Sequence, residues 1–244
     1  MPTLPANKNA APRGTVRLSE RLFAIAESLP RGGVICDVGS DHGLLPLYLV
    51  QNGYCERVLV SDLNAAPLER AKQNFARAGK SRQAEFFLTD GIEELAVYRP
   101  DAFVIAGMGG ETIAGILSRS KGFLAADSFF ALQPMTRTAF LRRWLYHNGF
   151  RVEKESVVAE NGKTFVLLFA VFDGVIRHLS EKTDPFGEFL PHIKSESCRL
   201  YFEKLRARYR ARAEGKRRAG QSAAEEEQLE EKCRSILEKY DENS

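Results

Sequence analysis

Between residues 34 and 148 the chain repeats one pattern: a short apolar run, a turn of glycine and polar residues, then apolar positions at helical spacing. Strands this apolar must be covered on both faces, and the intervening helices supply the cover, so the pattern dictates an α/β fold on a mostly parallel sheet. The spacing predicts strands at 34–38, 57–61, 85–89, 102–106 and 129–133, with helices at 44–51, 67–78, 111–118 and 138–148. An amphipathic helix over 16–29, stopped by Pro30, precedes the first strand. After Gly149, the β-rich runs FRVEKESVVAE and KTFVLLFAVF flank Asn161-Gly162, a strong hairpin signal. Five parallel strands closed by that hairpin give a seven-stranded sheet with one antiparallel strand.

From about residue 184 the composition changes. Cys198, Tyr201, Phe202, Leu205 and Tyr209 form one apolar stripe, and Leu229, Cys233, Ile236, Leu237 and Tyr240 a second, with Gly215 and Gly220 as breakers between them. The first segment is basic and the second acidic, so two helices are expected to fold back on each other. Three segments follow: a flexible leader over 1–15, an α/β domain over 16–183 and a helical hairpin over 184–244. At 244 residues, 44% hydrophobic and 27% charged, the chain has the composition of an ordinary globular protein. No apolar run approaches the roughly 18 residues that span a bilayer, and Lys8 and Arg13 precede no apolar stretch of the signal-peptide kind, so a cytoplasmic location without membrane contact is expected. Cys36, Cys55, Cys198 and Cys233 lack metal or redox spacing and read as buried thiols, with no metal. The net charge of +3 alone predicts no nucleic-acid partner, whereas its concentration in KLRARYRARAEGKRR does suggest one.

The stretch DVGSDHG turns the first strand into its helix. A strand ending in Asp-x-Gly before a helix offers backbone N–H groups to an anion. The spacing is neither the dinucleotide G-x-G-x-x-G nor a nucleoside triphosphate loop. The remaining common ligand is S-adenosylmethionine: its carboxylate suits the loop around Gly39, Ser40 and His42, and its cationic groups suit Asp37 or Asp41. Asp62 ends the second strand at the ribose position, and Asp90 the third, beside the adenine. Each acid alone also reads as a helix cap, but three at successive strand ends lie where open α/β sheets bind ligands. The fourth strand ends in GMGGETI, where Gly107, Gly109 and Gly110 permit close approach to Met108 by the methyl donor or by an acceptor base; a plain tight turn is the alternative. Gln133, followed by Pro134, ends the fifth strand with a donor and an acceptor for a base edge.

In DVGSDHGLLP, IAGMGGETI, LQPMTRTAFLRRWLYHNGF and ENGKTFVLLFA the chain resembles the bacterial tRNA (adenine-N1)-methyltransferases that modify adenine 22. The resemblance implies a Rossmann-like class I methyltransferase domain over 16–183, an S-adenosylmethionine cofactor and a coiled-coil-like C-terminal hairpin over 184–244 that helps hold tRNA. It places Asp37, Gly39, Ser40, Asp41 and His42 in the cofactor loop, Asp62 and Asp90 at the ribose and adenine positions, and Met108, Gly109 and Gly110 along the active site. The fifth-strand motif departs from the family, reading Gln-Pro-Met-Thr where Gln-Pro-Asn is expected, and Phe165 replaces a tyrosine.

Methyl transfer to a lone pair needs no strong base, so positioning is the main task. The product ring is cationic, which makes Asp41 the first candidate for charge stabilisation and His42 the second. The RNA grip is expected from Arg206, Arg210, Lys216, Arg217 and Arg218, with Arg142 and Arg143 as further phosphate contacts; the alternative is that the basic helix only pairs with its acidic partner. A monomer is expected, a dimer being compatible. Rival functions are a methyltransferase acting on another RNA base, a small molecule or a protein, and an RNA-binding relative without activity.

Overall fold

The computed structural model describes residues 16–178 and 186–241. The leader and the boundary expected at 183–184 lie outside the described residues.

Helix α1 (Glu20–Ser28) starts where Ser19 Oγ accepts from the Leu22 amide, and buries Ile25 and Ala26. It leads into β1 (Val34–Val38), α2 (Leu44–Gln51), β2 (Arg57–Asp62), α3 (Ala65–Arg77), β3 (Ala84–Leu88) and the four-residue α4 (Glu93–Ala96), which the sequence pattern did not predict. Then come β4 (Ala102–Gly109), α5 (Gly110–Ser120), β5 (Phe129–Thr136), α6 (Thr138–His147), β6 (Phe150–Glu160) and β7 (Lys163–Phe172). The sheet order is β3-β2-β1-β4-β5-β7-β6, with β7 antiparallel to both neighbours and the other pairings parallel. The β6–β7 turn places Asn161 (φ 49°) and Gly162 (φ 70°) in the left-handed region, as an Asn-Gly hairpin turn requires.

Two apolar layers flank the sheet. On one face Ile35, Val58, Val60 and Val104 pack with Leu68, Ala71 and Phe75 of α3 and nearly all of α2, which is apolar all round because it is buried all round. On the other, Val38, Phe103, Ile105 and Phe130 pack with α5 and α6. That second layer also takes in Cys198, Phe202, Leu205 and Tyr209 of α7 (Glu196–Arg218) and Cys233 of α8 (Ala224–Asp241), so the hairpin shares the core of the sheet. Gly215 does not break α7; the helix runs through it to Arg218, and the chain turns at Gly220 (φ 69°). Three intrinsically helical basic residues after Gly215 outweigh one glycine, which costs only about 1 kcal/mol inside a helix.

Two strands outrun their predicted ends. β4 continues to Gly109 and β5 to Thr136 through register shifts on either side of Met108, pairing Met108 with Pro134 and Gly109 with Thr136. The irregular extension carries the glycine turn and the Gln-Pro-Met-Thr motif to the same place.

Arg142 is not a phosphate contact. It lies on α6, is 1% exposed, and its Nε donates to Glu155 Oε1 of β6, itself buried. The Gly187 backbone sits directly over this pair, and Tyr146 Oη donates to Glu188 Oε2 (2.8 Å) beside it. Burial raises the Glu155 carboxyl above its ordinary range, against the pull of Arg142. A buried charge pair therefore joins α6, β6 and the segment leading to α7. Arg143, on the solvent side of α6, is exposed.

Candidate active site

The acids gather where the first two strands end. Asp37 is 6% exposed, and Asp62 is buried two residues beyond Val60, the β2 residue paired with Asp37. Burial pushes the Asp37 carboxyl up to about 6; the Asp62 charge adds to this, and Ser40 pulls partly down although its Oγ closes no hydrogen bond. Asp62 Oδ1 accepts from the Asn64 amide (2.7 Å), which fixes the carboxylate at the start of α3. Asp90 stands apart: two residues beyond β3, it is exposed and pairs with Arg119 of α5 at 3.2 Å.

The loop after β1 is tied down more than its sequence suggested. The Gly39 and Ser40 amides both donate to Ser61 O (2.8 and 3.1 Å), and Asp41 N to Gly39 O, so those three N–H groups are not free for an anion. Parallel strands β1 and β2 bring the Ser61 carbonyl under the loop, and it takes up the donors. Gly43 caps the start of α2 with no side chain to offer its first amides. His42 adopts φ 61°, an uncommon conformation for a side chain of its size, and Asn74 Nδ2 holds its carbonyl at 2.9 Å. Its Nε2 lies 3.0 Å from Asp41 Oδ1, a carboxylate whose side chain is 80% exposed.

Gly39 (φ 70°) leaves room that the Met108 methyl group fills, so the turns after β1 and β4 touch there. At Gly110 a Cβ would lie 2.7 Å from Arg137 O, which leaves glycine alone able to start α5 at this point. Met108 thus touches the loop after β1, whereas Gly107 faces Arg21 and Gly109 faces Thr112 and Thr136. Gln133 does not offer a base edge: it is fully buried, its Oε1 accepts from Gly107 N (3.1 Å) and Arg21 Nη1, and its Nε2 donates to Pro134 O (3.1 Å). Both ends of the amide are committed within the protein.

Beside this turn opens a cleft of about 630 Å³ between the sheet and the hairpin, lined on one side by Pro134, Arg137, Lys163 and Phe165 and on the other by α7. The basic residues of α7 divide between its two faces. Arg206 and Arg210 pair with Glu230 (3.4 and 3.0 Å), Lys216 with Glu226 (2.7 Å) and Arg217 with Glu227, all across to α8. Arg218 is exposed at the helix end. Lys204, Arg208 and Arg212, one turn apart on the same face, line the cleft instead. Their i, i+4, i+8 spacing was visible in the sequence; which row faces α8 was not. Among the described residues, no group of three or more metal-ligating side chains occurs, and no helix is long and apolar enough to cross a membrane.

An open sheet of this order with one reversed strand, acid-ended first and second strands and a glycine turn opposite them defines a class I methyltransferase. A family model described as a methyltransferase domain matches residues 18–168. The tRNA (adenine(22)-N(1))-methyltransferase of Bacillus subtilis is 32% identical over 178 residues, 70% of this chain and 75% of that protein. The chain belongs to the bacterial tRNA (adenine-22-N1)-methyltransferase family. Among solved structures, the Bacillus subtilis m1A22 tRNA methyltransferase superposes with a TM-score of 0.74 at 27% identity, covering 93% of this chain and 98% of that one. A Streptococcus pneumoniae protein assigned as a tRNA (m1A22) methyltransferase, solved with S-adenosyl-L-methionine, gives a TM-score of 0.80 at 28% identity over 90% and 99% of the two chains.

Proposed function

We infer that this chain methylates N1 of adenine 22 in tRNA with S-adenosyl-L-methionine as methyl donor. The observation that carries the reading is the combination of two buried carboxylates, Asp37 and Asp62, with a glycine turn whose Met108 pairs with Pro134 at the edge of a basic cleft.

The residues fit the cofactor. Asp37 is a buried carboxylate with no ion pair among the described residues, and the hydroxyls of Ser40 and Ser61 are buried without partners. Leaving such groups unpartnered is costly, and a polar, cationic guest offsets that cost. When bound, S-adenosyl-L-methionine supplies an electrophilic methyl group on a positively charged sulfur. Asp37 would hold its cationic end, Asp62 its ribose hydroxyls, and the Met108–Gly110 turn would border the methyl. Asp90, already paired with Arg119, would reach the adenine from the open side.

Adenine N1 attacks with its own lone pair, so the protein must orient the base rather than take a proton from it; good orientation is worth roughly 7–11 kcal/mol. Positive charge develops on the ring, and Asp41, exposed at the mouth and oriented by His42, can stabilise it. N1 is paired within folded RNA, so the base must swing out of its stack, at roughly a few kcal/mol. Lys204, Arg208, Arg212, Arg137 and Lys163 surround the cleft where the strand would be gripped. The four cysteines are buried free thiols, which supports a reducing, cytoplasmic setting.

Incubation of unmodified tRNA with the protein and methyl donor, followed by mass spectrometry of the nucleosides, should reveal 1-methyladenosine; its absence, or a different methylated nucleoside, overturns the reading. Arg208→Ala and Arg212→Ala should each weaken tRNA binding across sequences and lower the slope of log affinity against log salt by about 1. Arg210→Ala, which removes one side of the ion pair with Glu230, should change that slope less. Binding isotherms over a salt series distinguish the two rows.

A further inference from the structure

The polar contacts at the acceptor side of the site converge on a residue outside every motif, Arg21 near the start of α1. Its backbone N–H donates to Glu160 Oε2 at the end of β6 (3.0 Å). Its Nη1 donates to Gln133 Oε1 (2.5 Å) and lies 3.6 Å from Met135 Sδ. Its Cζ stands 5.1 Å from the ring centre of Phe165, within the range of a cation–π contact. The Gln133 oxygen that Arg21 holds is the one that accepts from the Gly107 amide. One guanidinium thus reaches β4 through Gly107, β5 through Gln133 and β7 through Phe165.

We propose that Arg21 is a positioning residue for the methyl acceptor, setting through Gln133 the Gly107–Gly110 turn and directly the Phe165 ring at the cleft wall. The proposal rests on the reaction assigned above. Arg21 Nε is buried without a partner among the described residues, so the guanidinium is held through Nη1 and the ring contact alone. A guanidinium against the base itself would oppose the positive charge building on the ring, so its effect passes through the groups it holds. Gly107 has φ 82° and Met108 packs on Gly39, so a shift of the turn would move the methyl-facing wall relative to the cofactor loop. A misplacement of about 1 Å can cost about 100-fold in rate.

The test uses the full-length chain with S-adenosyl-L-methionine and an unmodified tRNA transcript. Arg21→Ala should lower kcat about 100-fold while cofactor affinity and Tm stay close to wild type. Arg21→Lys, which keeps one donor to Gln133, should recover part of the loss. Gln133→Met should reproduce it, and the double variant should be no slower than either single one, as expected of residues acting as a unit. A wild-type kcat in Arg21→Ala, a loss that tracks a fall in Tm and cofactor affinity, or additive losses in the double variant would each overturn the proposal. Should Arg21→Ala not fold, wild-type kcat in both Arg21→Lys and Gln133→Met overturns it equally. A wild-type chain that binds cofactor yet modifies no tRNA refutes the assigned reaction, whereas an active wild type with an equally active Arg21→Ala refutes only the positioning role.

Discussion

Asp37→Asn is expected to weaken cofactor binding sharply, and 1-methyladenosine formation with it, while making the folded protein more stable. The Asp37 carboxyl is buried at the end of β1 and pushed up to about 6, first by desolvation and then by the charge of Asp62. Its folded value lies above its unfolded one, so between about pH 4 and 6 the native state holds the extra proton, and stability falls as pH rises through that window. A shift of about two units corresponds to roughly 3 kcal/mol at neutral pH. Asparagine keeps the shape and has no charge to desolvate, so at pH 7 the variant should melt several degrees higher. Its affinity for S-adenosyl-L-methionine should drop about 100-fold, the scale of a lost charge-assisted interaction. Wild-type affinity should likewise weaken as pH is lowered through 6, because Asp37 must be ionised to meet the cationic group. Calorimetry at several pH values together with thermal melts tests all three results; a less stable Asp37→Asn that still binds cofactor would remove the basis for the site.

The second large effect concerns Arg142. Arg142→Met should destabilise the protein by about 3–5 kcal/mol, since it leaves Glu155 as an uncompensated carboxylate in the core. Thermal unfolding should shift down by roughly 10 °C. Arg142→Met combined with Glu155→Leu should recover most of this, because replacing both members of a buried pair with apolar residues of similar volume is often near neutral. A single variant within about 1 kcal/mol of wild type would show that the pair carries little. The paired residues hold the segment before α7, so Arg142→Met should also raise the KM for tRNA more than that for the cofactor.

Much of the scaffold was legible because its signals are local. Apolar runs and helical spacing located the central strands to within a residue or two at most ends, and Asn161-Gly162 gave the reversed strand. The sequence makes β4 and β5 look short because Gly-Met-Gly and a proline resemble a turn, whereas pairing between the two strands carries both beyond it. Asp37 and Asp62 could be found from the sequence, since an acid that closes an apolar strand is a local pattern. Gln133 could not be read correctly, because the cation that occupies its amide is 112 residues away. Arg142 looked like any surface arginine for the same reason: its partner, Glu155, belongs to another element. On α7, spacing separates Arg206 and Arg210 from Arg208 and Arg212 as two rows, but only the position of α8 decides which row is neutralised.

That division has a directional consequence. A polyanion nearing the arm from the α8 side meets guanidinium and ammonium groups already matched by Glu226, Glu227 and Glu230, while one arriving from the sheet side meets Arg208 and Arg212, which form no ion pair among the described residues. With the grip proposed above, the arm draws the phosphate backbone by its inner face alone, so the RNA would approach from the side on which the turn after β4 lies.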